Sequence, residues 1–215
     1  MNQAPAVTLR SYAFLDRMQP QFAAFVASNA RGYLPVPGQA SLYVEVAPGM
    51  ALLGLTDAAL KATRVRPALQ IVERAFGLLE VHDEDPAEVR AAGQHILDRM
   101  GRQESDRLPP NLVSMDVITR VDDHQAMLVN RMRQGAMLET LETMITIEVE
   151  PAGYAVLAAN EAEKAAPIRL LHLRPYGAFG RVWLGGSEAE VFAARDAVRR
   201  AIDAAAEGAA GVRAG

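Results

Sequence analysis

The sequence predicts an α+β protein built from two tandem copies of one unit. Three observations carry this reading. A segment recurs at a fixed spacing, the same order of strand and helix patterns follows each occurrence, and a polar, proline-bearing joint separates the two. The segment beginning at Val44, "VEVAPGMALLGLTDAALKATRVR", returns at Ile147 as "IEVEPAGYAVLAANEAEKAAPIR", an offset of 103. At that offset Glu45, Val46 and Pro48 meet Glu148, Val149 and Pro151. Ala59, Lys61, Ala62 and Arg66 meet Ala162, Lys164, Ala165 and Arg169, and Ala75-Phe76-Gly77 meets Ala178-Phe179-Gly180. Ten ungapped identities between Glu45 and Gly77 exceed what an Ala-rich chain gives by chance.

Each copy reads as β-α-β-α-β-β-α. The first strand is expected near Leu9–Leu15, and its counterpart near Met115–Val121. A helix follows in the first copy with Pro20 near its start and Phe22, Phe25 and Val26 on one face. The alternating "SLYVEV" and "MITIEV" read as strands, and helices open from Gly49 and Ala152. Two strands flank each Ala-Phe-Gly step. The last helix is announced by "DPAEV" in one copy and, after a slip of one residue, by "SEAEV" in the other. Each pairs a capping side chain with a Glu three residues on, and Pro86 suits the first helical position. The joint is "GRQESDRLPPNLVS", Gly101 to Ser114. The expected division is 1–104 for the first domain, 105–111 for the linker, 112–207 for the second domain and 208–215 for a flexible tail. Strands and helices in this order favour helices packed on a small sheet. Two copies are too few for a solenoid, whereas three chains around an axis would show six near-equivalent domains.

Composition narrows the function. The chain has 215 residues, 50% hydrophobic and 22% charged, with net charge −4 and no cysteine. No basic run suggests nucleic acid, and the lack of thiols fits a cytoplasmic location. The start "MNQAPAVTLR" does not read as a signal peptide, and no apolar run reaches a membrane span. "HDED", His82 to Asp85, crowds possible metal ligands, but neighbours on an extended stretch alternate faces and Asp85 is claimed by the helix cap. His95, His124 and His172 lack ligand spacing. "GGSEAE" lacks the Lys-Ser/Thr of a phosphate loop. No metal, no cofactor and no catalytic residues are expected.

One stretch stands apart. In "IVERAFGLLE", Glu73 and Arg74 sit side by side at a turn that interrupts a strand pattern, ahead of Ala75-Phe76-Gly77. The matching turn, Pro175-Tyr176-Gly177-Ala178, carries no charge at those two positions. Gly77 and Gly177 are expected to let the backbone change φ cheaply. Lys61 and Lys164 lie one turn after Asp57 and Asn160, the spacing of surface i,i+4 pairs.

The second copy, "EPAGYAVLAANEAEKAAPIRLLHLRPYGAFGRVWLGGSEAEV", resembles the core of bacterial microcompartment shell domains, with its "ANEAEKAA" helix and the glycine-rich turn after the next strand. The strand and helix placed before each core resemble the circularly permuted form. "TLRSYAFLDRMQPQFAAF", "GYLPVPGQASLYVEVAPGMA", "TDAALKAT" and "IVERAFG" are similar to the gated tandem-domain shell proteins of carboxysomes and their relatives. The resemblance spans about residues 8–205. It implies two tandem ferredoxin-like-type domains, permuted, in a pseudohexameric trimer that tiles a shell beside other hexamers and pentamers. It implies a pore on the three-fold axis for small polar metabolites, and stacking of two trimers face to face. It places Glu73 and Arg74 as a gating pair, with Ala75, Phe76, Gly77, Pro175, Tyr176, Gly177 and Ala178 completing the rim. It puts Lys61 and Lys164, with Asp57 and Asn160 beside them, at tile edges. The edge arginine of single-domain relatives has no clear match. The alternative is a soluble trimeric sensor or enzyme with a ligand between its domains, although no convergent set of titratable groups marks such a site.

Overall fold

The computed structural model describes residues 7–210. The first copy runs β1 (Thr8–Leu15), α1 (Pro20–Asn29), β2 (Ala40–Ala47), α2 (Ala51–Ala62), β3 (Arg66–Glu73), β4 (Phe76–Asp83) and α3 (Pro86–Met100). The second runs β5 (Asn111–Ile118), α4 (Asp123–Met132), β6 (Thr143–Glu150), α5 (Ala155–Ala165), β7 (Arg169–Arg174), β8 (Gly180–Gly186) and α6 (Glu188–Ala210). The order in each copy is the expected one. Each forms a four-stranded antiparallel sheet, ordered β1-β2-β4-β3 and β5-β6-β8-β7. The offset of 103 extends well beyond the identities. Bulges fall between Leu9 and Ser11 and between Leu112 and Ser114, and cis X–Pro bonds precede Pro48 and Pro151.

Several boundaries differ from expectation for physical reasons. β5 takes up the end of the expected joint, because Asn111, Leu112 and Ser114 pair with Glu150, Val149 and Glu148. Its span therefore lies four residues or so before the expected Met115–Val121. A short 3₁₀ turn, Glu104–Asp106, orders the joint, and the Tyr154 hydroxyl donates to Leu108 O at 2.8 Å. Of the expected flexible tail, 208–210 is helical. α3 stops at Gly101, whose φ of 63° closes the helix, whereas α6 has no glycine at the matching position and runs on with Ala209 buried. Residues 1–6 and 211–215 lie outside the described residues.

The helix caps also differ between copies. Asp85 accepts from Ala87 N at 2.9 Å, but Glu88 turns away to Arg64, accepting from its N–H and guanidinium at 3.0 and 3.1 Å. The reciprocal cap forms only in the second copy, where Glu190 accepts from Ser187 N at 2.8 Å and Ser187 Oγ from Glu190 N at 3.4 Å.

The two sheets share a core. Phe22, Phe25, Val26, Tyr43 and Leu69 of the first copy pack in one cluster with Ile145, Tyr154, Ala158 and Leu173 of the second. A separate cluster under α2 and α3 joins Leu42, Val44, Leu52, Leu79, Val89 and Ile96.

Candidate functional site

The seam between the copies fixes the site. α1 has no side-chain cap of its own. Glu163 of α5 supplies one, accepting from Gln21 N at 2.7 Å and Phe22 N at 2.8 Å. Asn160 Oδ1 accepts from Gln19 N at 3.0 Å, and its Nδ2 donates to Arg17 O at 3.3 Å. A carboxylate at a helix N-terminus satisfies orphan N–H groups and complements the helix dipole. Deeper in the seam, Glu45 accepts from Arg10 Nε at 3.0 Å and from Gly153 N of the other copy at 2.9 Å. Glu45 is 1% exposed, and burial raises its carboxyl pKa above the ordinary value despite these partners. The Arg10 guanidinium also stacks 3.6 Å over the Phe76 ring. The seam therefore reaches the root of the Glu73–Phe76 turn.

That turn is a two-residue hairpin, since Glu73 pairs directly with Phe76. Its left-handed residue is Arg74, with φ of 52°. Gly77 does not serve as the expected hinge. It lies in β4, where an added Cβ would come within 2.6 Å of Gly49 O, so its role is close packing. Gly177, with φ of 103°, does occupy backbone that side chains rarely adopt.

Glu73 and Arg74 do not pair within the chain. Arg74 is exposed and has no ion pair among the described residues. Arg174 Nη2, from the last residue of β7, instead donates to Glu73 Oε1 and Oε2 at 2.9 and 3.0 Å. The Arg174 guanidinium lies 4.9 Å over the Tyr176 ring. Arg174 is the residue that sequence reasoning missed. At the offset of 103 it matches Ile71, so comparing equivalent positions hid a cation two residues earlier. A shallow depression lined by Glu73, Arg74, Phe76, Arg174, Tyr176 and Arg181 marks where the two turns converge. Arg181 is occupied by Glu148 at 2.8 Å. Burial, then the Arg174 and Arg181 charges, holds the nearby His172 below its ordinary pKa.

The other expected site residues separate. Lys61 pairs with Asp57 at 2.8 Å on the surface, as an i,i+4 pair should. Lys164 pairs with Glu161 at 3.7 Å. Asn160 contradicts its expected place at a tile edge: it is 1% exposed and engaged in the seam, because α1 lies over it. His82 of "HDED" turns inward onto Glu80, at 3.1 Å. Among the described residues no group of three His, Cys, Asp or Glu could hold a metal, and no helix is long and apolar enough to cross a membrane. The cleft between the copies, about 510 Å³, is lined by Tyr43, Gln70, Glu73 and Tyr176 among others.

Paired permuted sheets with their hairpin turns brought together define a tandem-domain microcompartment shell protein. The comparisons agree. The CsoS1D N-terminal domain family matches residues 9–106. The carboxysome shell protein CcmP of Synechococcus elongatus is 47% identical over 197 residues, 92% of each chain. The carboxysome shell protein CsoS1D of Hydrogenovibrio crunogenus is 45% identical, covering 91% of this chain and 96% of its own. Among solved structures, the fused permuted hexameric shell protein MSM0275 of the RMM microcompartment superimposes with a TM-score of 0.90 at 41% identity, covering 93% of this chain and 98% of its own. The double-ringed trimeric shell protein MSM0271 of the same microcompartment gives 0.89 at 40%, covering 92% and 97%. The chain belongs to this family of carboxysome and microcompartment shell proteins, and is a structural protein rather than an enzyme.

Proposed function

We propose that the chain forms a homotrimer whose six domains make one pseudohexagonal tile in a bacterial microcompartment shell, with a gated pore on the three-fold axis. The observation that carries the trimer is the uncovered face of α4. At the offset of 103, α4 matches α1, and Phe25 and Asn29 match Leu128 and Met132. In α1 this face is covered by the second domain. In α4 only Ala126 is buried, while Leu128 is 56% and Met132 65% exposed. The surface that would cover it is the first domain of another copy. The caps support the same pairing: Leu60 stands where α1 finds Glu163, so a neighbour offers α4 no carboxylate, and Asp122 caps α4 from within at 2.9 Å. Asp57, which matches Asn160, then faces this seam. Repeating the contact three times closes a ring.

In the ring the two turns, Glu73 to Gly77 and Pro175 to Ala178, surround the axis. Glu73 and Arg74 side chains from three chains pair there when the pore is closed, with charge-assisted hydrogen bonds offsetting like-charge repulsion. Small polar metabolites pass when the pairs part. Two such trimers stack face to face, and other shell hexamers and pentamers adjoin laterally. Light scattering coupled to size exclusion tests the trimer. The wild type is expected at three chains or a multiple of three. Leu128→Glu with Met132→Glu is expected to release monomers, and a wild type that stays monomeric at micromolar concentration would refute the assembly.

Lys61 and Lys164 form the lateral edge, where aliphatic stems lie along a neighbouring tile. Lys61→Ala with Lys164→Ala is expected to leave the trimer intact and to reduce sheet formation seen by negative-stain microscopy. Sheets as extensive as those of the wild type would remove these lysines from the edge.

A further inference from the structure

We propose that Arg174 is a positioning residue of the pore. It holds the Glu73 carboxylate against the chain's own second domain and competes with Arg74 for it. This rests on the reading of the Glu73–Arg74 turn as a gate, and adds the partner that the gate exchanges.

The ion pair bridges the two copies. The acid comes from the turn of one and the base from the strand end of the other, where the first copy carries Ile71. Each copy carries only one half of the pair, since the second has Tyr176 where the first has Glu73. A single nitrogen of Arg174 contacts both carboxylate oxygens. The Tyr176 ring below the guanidinium restricts where it can point. Arg174 has no other carboxylate partner among the described residues, and the neighbouring Arg181 is engaged by Glu148. Gly177 leaves the acid accessible, as even an added Cβ would stand 3.6 Å from Glu73 Oε1.

Arg174 draws the Glu73 carboxylate toward the second domain, so the clasp and a pair with Arg74 across the axis are alternative positions of one side chain. Held by Arg174, it leaves the three Arg74 side chains of a trimer without acceptors, and like charges around a narrow opening move apart. Released, it pairs with Arg74 across the axis and the opening narrows. The exposure of the pair suits this exchange. The Arg174 and Glu73 side chains are 40% and 30% exposed, and a pair that wet is weak enough to break and re-form. The arrangement seen in the chain is the clasped one.

Electron cryo-microscopy of the full-length trimer tests this, comparing the wild type with Arg174→Gln and Arg174→Lys. The Gln variant is expected to raise the ratio of Arg74-paired to clasped Glu73 by about two- to fivefold per chain. Lys keeps the charge without the planar guanidinium that lies over Tyr176, and is expected to shift the ratio the same way by less. A turn on the axis whose Glu73 distribution is the same in all three proteins overturns the clasp and leaves the gate standing. A turn far from the axis overturns both. If the Gln variant does not assemble, the Lys variant alone decides, and an unchanged distribution there is equally fatal.

Discussion

Glu45→Ala lowers the stability of the chain by about 3–5 kcal/mol at neutral pH, the cost of breaking a buried ion pair from one side. It leaves the Arg10 guanidinium, nearly buried over Phe76, without its carboxylate. It also strips Gly153 N of its acceptor across the seam. Denaturant unfolding of the two proteins measures the loss, and a difference under about 1 kcal/mol would mean that water replaces the pair, as at exposed sites. The raised pKa adds a pH signature. Because burial lifts the Glu45 carboxyl above its ordinary 4.5, its titration favours the folded state most below that value. That contribution is lost as pH rises through the raised folded pKa. Glu45→Gln cannot titrate, so its stability should vary less than that of the wild type from pH 4.5 upward. Parallel stability curves would place the pKa shift elsewhere.

Arg74→Ala is expected to hold the pore open while the trimer persists. Arg74 is exposed at a hairpin tip and contributes nothing to the cores, so removing it spares assembly. In the proposed closed ring it would supply charge-assisted hydrogen bonds worth about 1.5–3 kcal/mol each. Losing even one at the lower end shifts the closed population about tenfold. Glu73 keeps Arg174, so the opening gains negative character without collapsing. Particle classes from the variant would show the ratio directly, and a closed fraction equal to that of the wild type would take Arg74 out of the gate.

Much of the fold was legible because the chain states it twice. A weak strand signal in one copy is reinforced by its counterpart at the fixed spacing, and Ala-Phe-Gly marked both hairpins. The boundaries were less legible where pairing partners decide them. Asn111 to Ser114 look like loop beside two prolines, and become strand only because β6 stands ready to pair with them. α6 outruns α3 because no glycine stands where α3 meets Gly101. At the candidate site, the turn carrying Glu73 and Arg74 stood out as charge in an apolar run. The partner of Glu73 did not, since Arg174 reads as an ordinary strand-end cation until the second sheet brings it across. Asn160 misled for the opposite reason: helical spacing alone cannot tell an exposed edge from a face on which another domain's helix settles.

Electron cryo-microscopy of the assembled protein, read at the Glu73–Phe76 turn, decides between a pore and a rim position. Three copies of that turn are expected to converge on a three-fold axis, alternating with three copies of Pro175–Ala178, with α4 covered by the first domain of the next chain. Finding the turn at the outer rim of the assembly, with α4 open to solvent, would contradict the pore assignment.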